Sequence, residues 1–217
     1  YLLGQGVITM STIKGLHARL TAELFKEVLE DKGYAFFDGN KSYNLNIISV
    51  RSNSNASKCF DDCLMVIYRN LVLDWQVETY QMTTEPGPSI LRKPINPDGT
   101  AILVPGQYRG TYKIGSHGGS FRHTALVQRG GPVKVYRDAN KDRDLDKEES
   151  SIQSGMFGIN IHRHARPAEK EYVRGSSAGC QVFKNSKEFA EFLEVCNKSA
   201  DKFGNSFTYT LLDEEDI

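Results

Sequence analysis

The chain has 217 residues, 27 Lys plus Arg against 27 Asp plus Glu, no formal net charge and 39% hydrophobic residues. That length supports one domain with a sizeable core, or one domain with a modest extension. Balanced charge gives no global field toward nucleic acid or an anionic membrane, and no apolar run approaches the roughly 20 residues that cross a bilayer, so neither a polyanion binder nor a membrane-spanning chain is expected.

The first residues lack the basic-then-apolar order of a secretory signal, and Met10 is a candidate coding start, so YLLGQGVIT is set aside from fold reasoning. From Thr12 to Lys32 the residues Ile13, Leu16, Leu20, Leu24 and Val28 recur at spacings of three and four, and Gly33 follows as a stop; this predicts an amphipathic helix. YNLNIISV (43 to 50) reads as a strand and RSNSNASK (51 to 58) as a loop. CLMVIY and LVLDWQVETYQM, parted by RN, read as a hairpin or two sequential strands. From Thr83 to Arg137 short apolar runs alternate with the turn signals EPGP, NPDG, PGQ, SHGG and RGGP, the rhythm of an antiparallel sandwich or barrel. Helix returns near the end, where Ser186 can cap a segment with Phe189, Phe192, Leu193 and Cys196 on one face, and FTYTLL (207 to 212) reads as a last strand. Four cysteines are too few and too scattered for a disulfide scaffold in a chain this long. Cys59 and Cys63 would share a face if helical, but no His or Cys lies near them in sequence to complete a metal site, so burial as free thiols is the simpler reading.

The residues that carry chemistry lie between these last elements. A thiol is a useful nucleophile only as thiolate, so it needs a base or cation beside it and donors for the oxyanion it creates. In SSAGC (176 to 180), Gly179 permits tight backbone geometry before Cys180, Ser176 and Ser177 offer hydroxyls, and the N–H groups of Gly179 and Cys180 are candidate oxyanion donors. GINIHRH (158 to 164) offers the base. If it is a strand, Ile159, Ile161 and Arg163 point one way and Asn160, His162 and His164 the other, so with the isoleucines in the core the two histidines look toward a cleft. A surface histidine there is the plain alternative.

INIH followed by SSAGC resembles the active-site signature of the L,D-transpeptidase catalytic domain, a histidine and then Ser/Thr-His-Gly-Cys. His162 falls at the histidine position, Ser177 at the Ser/Thr, Gly179 at the glycine and Cys180 at the nucleophile; TTEPGPSIL (83 to 91) resembles the turn and strand that precede the site in that family, and the likeness spans about residues 74 to 196. The resemblance implies a mostly β, α+β fold, an antiparallel β-sandwich or barrel of L,D-transpeptidase type, with residues 71–217 as the catalytic domain and residues 1–70 as an N-terminal helix-containing extension. It also implies attack on peptidoglycan stem peptides to give an acyl-enzyme, resolved by an amine in transpeptidation or by water in a peptidase. Ser177 or His164 would orient His162. His117, in GSHGGSFRH, would line the cleft, and Arg163, Arg166 or Arg174 would take a substrate carboxylate, although a polar-turn histidine and solvated arginines are the plain readings of these. Three positions depart from the family: Ala178 replaces its second histidine, Arg163 a glycine or small residue, and Val182 an Arg or Asn. GINIH and SAGCQVF together resemble bacteriophage proteins, an origin that would suit cleavage of a host wall from its periplasmic or outer side. A non-catalytic wall-binding or virion-associated module with a degenerate site is the competing expectation, and Ala178 and Val182 argue for it. No cofactor is expected for the chemistry.

DANKDRDLDKEE places Asp138, Asn140, Asp142, Asp144, Asp146 and Glu149 at positions 1, 3, 5, 7, 9 and 12 of a calcium loop. Arg143 stands where the turn wants glycine, and the preceding PVKVYR reads as a strand. A structural Ca2+ site and a solvated acidic hairpin tip are the two readings.

Overall fold

Two strands, β1 (Asn46–Arg51) and β2 (Asp62–Arg69), carry almost no alternation because both of their faces are covered. Ile47, Leu64 and Val66 face an interior packed with Tyr112, Leu126, Ile161 and Tyr209, while Ile48, Val50, Met65 and Ile67 face the helix α1 (Ala18–Asp31). The computed structural model describes residues 17–54, 57–118, 122–164 and 171–217. Residues 12–16 of the expected first helix, and Arg166, lie outside them. Gly33, at φ 70°, follows the helix as expected. Its buried face is Thr21, Ala22, Phe25 and Leu29, with Leu24 and Val28 at the margin and Leu20 53% exposed. The expected stripe is thus rotated by one position, because the large Phe25 takes the centre of the contact with β1 and β2.

Eight strands form a closed ring. With β3 (Trp75–Thr83), β5 (Gly106–His117), β6 (His123–Gln128), β9 (Ile161–Arg163), β10 (Gln181–Phe183) and β11 (Phe207–Asp213), its order is β1-β11-β5-β6-β9-β10-β3-β2. Neighbours are antiparallel except β1 with β11 and β9 with β10, which run parallel. A second antiparallel sheet has the order β4 (Thr100–Leu103), β7 (Val133–Asp138), β8 (Gln153–Gly155). The protein is therefore mixed α+β and mainly β. Helix α3 (Ser186–Phe203) lays Phe189, Phe192, Val195 and Cys196 on the ring, against Tyr80 and Phe183. Each such aromatic burial removes enough apolar surface from water to stabilise by about 2–3 kcal/mol. No helix among the described residues is long and apolar enough to cross a membrane.

Several expected boundaries move. The β2–β3 turn is Asn70–Asp74 instead of RN: the Asn70 side chain accepts N–H bonds from Val72 and Asp74, and Leu71 and Val72 are 72% and 75% exposed at the tip. Residue 70, the expected limit of the N-terminal extension, thus sits in the turn between two strands paired from Asp62↔Met82 to Arg69↔Trp75. TTEPGPSIL forms a turn and a short helix α2 (Pro88–Arg92) where a strand was expected, since Pro88 presets a helical φ at its first position. Asn185, rather than Ser186, caps α3, accepting from Lys187 N at 2.8 Å. Cys63 lies on β2 and Cys59 in the loop before it, so the pair has no helical face to share. Cys196 is a core residue, 0% exposed.

A buried charge network braces one wall of the ring. Arg51, 1% exposed, donates to Thr84 Oγ1 and to the carbonyls of Thr84 and Leu103, with Glu85 Oε1 at 3.6 Å. Lys147 reaches the same Glu85 oxygen at 2.9 Å. Asp62 accepts from Ser52 N, Thr84 N and Thr84 Oγ1, which fixes the start of segment 84–88. Further along, Gly87 N donates to Ser177 O at 3.0 Å, and a Cβ on Gly87 would fall 1.6 Å from Arg174 O. The charged wall and the turn before Cys180 are therefore one packed unit.

Candidate active site

The parallel pairing of β9 with β10 brings the two sequence motifs together. Gln181 lies beside Ile161 and Val182 beside His162, and Gln181 N donates to Asn160 O at 2.9 Å, so Cys180 falls next to Asn160. The turn before the thiol is built by Ser177, 0% exposed, whose hydroxyl donates to Cys180 O at 2.7 Å and accepts from Gly179 N at 3.1 Å. Gly179 has φ 112°, and a Cβ there would meet Ala101 O at 2.3 Å, so only glycine fits. Ser177 thus shapes the turn instead of orienting His162, and the Gly179 N–H expected at an oxyanion is already engaged. Ser176 N donates to Val173 O, another brace of the same turn.

The Cys180 sulfur accepts from Asn160 N at 3.4 Å and lies 3.4 Å from Gly158 O, to which a thiol proton can be donated. It packs partly on Phe60, Val173 and Val182. Val182 occupies this apolar cluster with 0% exposure, which explains why a polar side chain is missing at that position. Burial pushes the thiol up to about 11, and the Asn160 N–H offsets only part of this. At neutral pH the group is a thiol. Its open side faces a pocket of about 470 Å3 that Ala178, Arg137, Met156, Phe157 and Ile90 also line. A larger depression of about 940 Å3, between α1 and β3, is edged by solvated charges such as the Lys26–Asp38 pair and holds no thiol.

The expectation that His162 and His164 look into a cleft does not hold: they are 6% and 1% exposed. His162 follows the buried Ile161 on β9, and His117 and His123, from the paired ends of β5 and β6, pack against its ring. His162 stacks on His117 with ring centroids 3.9 Å apart, and His123 stands 5.3 Å from His117 and 5.8 Å from His162. Hydrogen bonding fixes two tautomers. His162 Nδ1 lies 2.5 Å from Arg163 O, which can only accept, so Nδ1 carries the proton and Nε2 the lone pair. His117 Nδ1 faces the Asn160 amide nitrogen at 2.9 Å; with Asn160 Oδ1 accepting from Gln128 N, that amide donates and His117 Nδ1 accepts. Burial, then the neighbouring His117, pushes His162 down to about 3. The thiol and the imidazole are both neutral at rest, and Asn160 touches the surroundings of each: its main-chain N–H donates to the sulfur and its side-chain amide to His117, which stacks on His162. Arg163 donates to His164 O at 2.8 Å and lies across the strand from this cluster.

The acidic loop is drawn in by its own hydrogen bonds. Asn140 Nδ2 donates to Asp142 and Asp146, Asp142 N to Asn140 Oδ1, Asp144 N to Asp142 Oδ1, and Asp146 N to Asp138 Oδ2. Asp138 is 1% exposed and its Oδ1 has no hydrogen-bond partner. Glu149 begins a 3-10 turn and makes no hydrogen bond to the other five residues. Among the described residues, no group of three or more His, Cys, Asp or Glu side chains is gathered to hold a metal ion.

Three residues that shape or line the site stand outside its sequence expectation. Asn160 was placed on the correct strand face but given no role. Gln128 accepts from the N–H groups of Phe157, Gly158 and Ile159 through one oxygen and donates to Gly131 O and Gly155 O, fixing the segment that leads into β9. Arg137 reaches the thiol pocket from a different sheet, and no linear spacing signals that. Comparison of the chain with protein-family models, curated proteins and solved structures finds no match. What fold and site define together is a class by geometry: a closed, mainly antiparallel ring with a half-buried thiol at its parallel β9/β10 seam.

Proposed function

We propose that the chain is a cysteine-dependent enzyme of L,D-transpeptidase type that forms an acyl-enzyme on Cys180 from peptidoglycan stem peptides and releases it chiefly to water, acting on the cell wall as a phage-delivered peptidase would. The placement of the sulfur carries this reading: it opens on a pocket, receives the Asn160 N–H, and connects through Asn160 to the histidine cluster. Because burial keeps the thiol protonated, its proton must leave as attack proceeds, and His162 Nε2 is the lone pair identified for accepting it, with Arg163 O holding the ring. The sulfur–carbon bond then forms, the scissile C–N bond breaks, and the proton passes to the departing amine; water reverses the sequence to free the acid.

A second reading, a non-catalytic wall-binding or virion-associated module, draws support from one observation. The thiol pushed up to about 11 and the imidazole pushed down to about 3 do not ionise each other at neutral pH. Digests of purified muropeptides with the wild type and with Cys180→Ala separate the two. New products from the wild type alone support the enzyme; identical product profiles sink it, and equal retention of both proteins on sacculi would then favour the module.

A structural Ca2+ ion in the 138–149 loop belongs to the same proposal and takes no part in the chemistry. Its support is the ligand spacing together with the buried Asp138 Oδ1, which accepts no hydrogen bond, although the described carboxylates are not gathered into a metal-holding group.

A further inference from the structure

Arg137 is the one cation among the described residues that line the pocket in front of Cys180. Arg137 reaches it from β7, held from three sides: Nε donates to Gln153 Oε1 at 2.9 Å, Nη1 donates to Gly99 O at 3.1 Å, and the guanidinium carbon lies 4.7 Å over the Phe157 ring. All three partners are neutral. Among the described residues no carboxylate lies within 4.0 Å of this guanidinium, and Nη2 donates no hydrogen bond. Its close contacts are all to uncharged groups, so its partial burial is not offset by an ion pair at contact distance. The contrast with Arg51, whose burial is answered by Glu85 and two carbonyls, is direct. Around Arg137 the lining is mainly aliphatic and aromatic: Ile90, Ile95, Met156 and Phe157.

We propose that this pocket binds the acyl donor through a free carboxylate, with Arg137 as its anchor: the ligand has an apolar body, one carboxylate on the free face of the guanidinium, and a carbonyl presented to the Cys180 sulfur. An arginine locked by neutral partners offers a prepared fork, so little ordering remains to be done when a carboxylate arrives. The inference rests on the thiol-enzyme reading only for calling the ligand an acyl donor. Under that reading, stem peptides with a free terminal carboxylate next to the scissile amide are the substrates, and internal bonds of cross-linked peptides are not.

Alkylation of the full chain tests the site without any assumption about peptidoglycan. Iodoacetate and iodoacetamide place the same carbon on sulfur: the S–C bond forms, the C–I bond breaks, iodide leaves and the thiol proton goes to solvent. They differ in one carboxylate. With Cys180 modification followed by peptide mapping, so that the partly exposed Cys59 is counted separately, the iodoacetate-to-iodoacetamide rate ratio should be about tenfold higher in the wild type than in Arg137→Gln at low salt. Arg137→Lys should recover part of it, and butyrate, unlike butyramide, should protect the wild type. Equal ratios in wild type and Arg137→Gln, with the variant's circular dichroism unchanged, overturn the proposal; if Arg137→Gln does not fold, absence of selective butyrate protection in the wild type overturns it instead. Muropeptide inertness accompanied by the iodoacetate preference would remove the enzyme reading and leave the carboxylate site standing, whereas cleavage without the preference would do the reverse.

Discussion

The two polar regions against the ring handle burial in opposite ways. On one side Arg51, Glu85, Asp62 and Lys147 are buried or half-buried as a network of charged groups with hydrogen bonds to carbonyls, hydroxyls and main-chain N–H groups. On the other, the half-buried Cys180 and the buried His162 are neutral, each moved away from ionisation by lack of solvent. Partners of opposite charge make a rigid support; neutral groups with one fixed tautomer leave a proton free to move when a substrate changes the balance. The turn 174–177, pinned to Gly87 at the end of the charged wall, couples the first region to the second.

Breaking the charged wall should give the largest effect. Arg51→Ala strips Glu85 of one partner and leaves the carbonyls of Thr84 and Leu103 without their donor, for a loss of about 3–5 kcal/mol in urea unfolding. A loss below about 1 kcal/mol would mean that the network contributes nothing beyond what water supplies.

Titration sharpens the contrast, because the two regions respond to pH with opposite sign. Burial, then Glu85, raises Asp62 from 3.8 to about 6, against its N–H bonds from Ser52 and Thr84. The native state therefore binds this proton better than the unfolded chain between about pH 4 and 6, and its contribution is full below that window and is lost as pH rises through it, on the order of 3 kcal/mol. His162, lowered from 6.5 to about 3, does the reverse. The unfolded chain binds its proton better between about pH 3 and 6.5, so stability rises with pH there, by up to about 5 kcal/mol. Stability measured from pH 4 to 6 should climb more steeply in Asp62→Asn than in the wild type and should flatten or fall in His162→Phe. Parallel curves for the three proteins would refute the assignment of both shifts.

A smaller effect separates the wall from the scaffold of the site itself. Gln128→Ala removes one acceptor shared by three N–H groups and the donor to two carbonyls, and should cost about 2–3 kcal/mol in thermal or urea unfolding. Because segment 157–159 leads directly to Asn160, the variant should also alkylate faster at Cys180 as the sulfur loses its enclosure. Unchanged alkylation at full stability loss would show that Gln128 supports the fold without positioning the thiol.

What the sequence made legible follows from the range over which each signal acts. Strand alternation put Asn160 and His162 on one face, and both reach His117, because alternation depends only on neighbouring residues. Whether that face meets solvent depends on β5 and β6, which reach it through ring closure, and no local pattern encodes that. The turn before Cys180 was legible as glycine-bearing, yet the Ser177 clamp and the Ala101 carbonyl that forbids a Cβ are tertiary. Arg137 was invisible for the same reason: its place beside Cys180 arises from the docking of the three-stranded sheet on the ring. No local pattern marks Asp62, Arg51 or Glu85 as buried, because their burial depends on their mutual proximity in the folded ring.

The acidic loop offers the smallest and most separable test. Asp138 is raised by burial, with Asp146 and Asp142 adding to the shift, and the Asn140 amide bridges Asp142 and Asp146. An ion that takes Asp138 Oδ1 would replace that repulsion with coordination and would stabilise the folded state by mass action, by about 1.4 kcal/mol at a concentration ten times its Kd. Thermal melts in Ca2+ and in chelator should then differ by a few degrees in the wild type and coincide in Asp138→Asn, with Mg2+ less effective because the loop supplies many oxygens in irregular geometry. Coincident wild-type melts would reduce the loop to a hairpin tip closed by its own asparagine. A shift that persists in Asp138→Asn would move the ion to some other group of oxygens. The β7 strand runs from Arg137 into Asp138, so a bound ion should also slow hydrogen exchange at Arg137 N, which donates to Ser151 Oγ; the loop would then stiffen the arm that carries the proposed carboxylate anchor without touching the thiol.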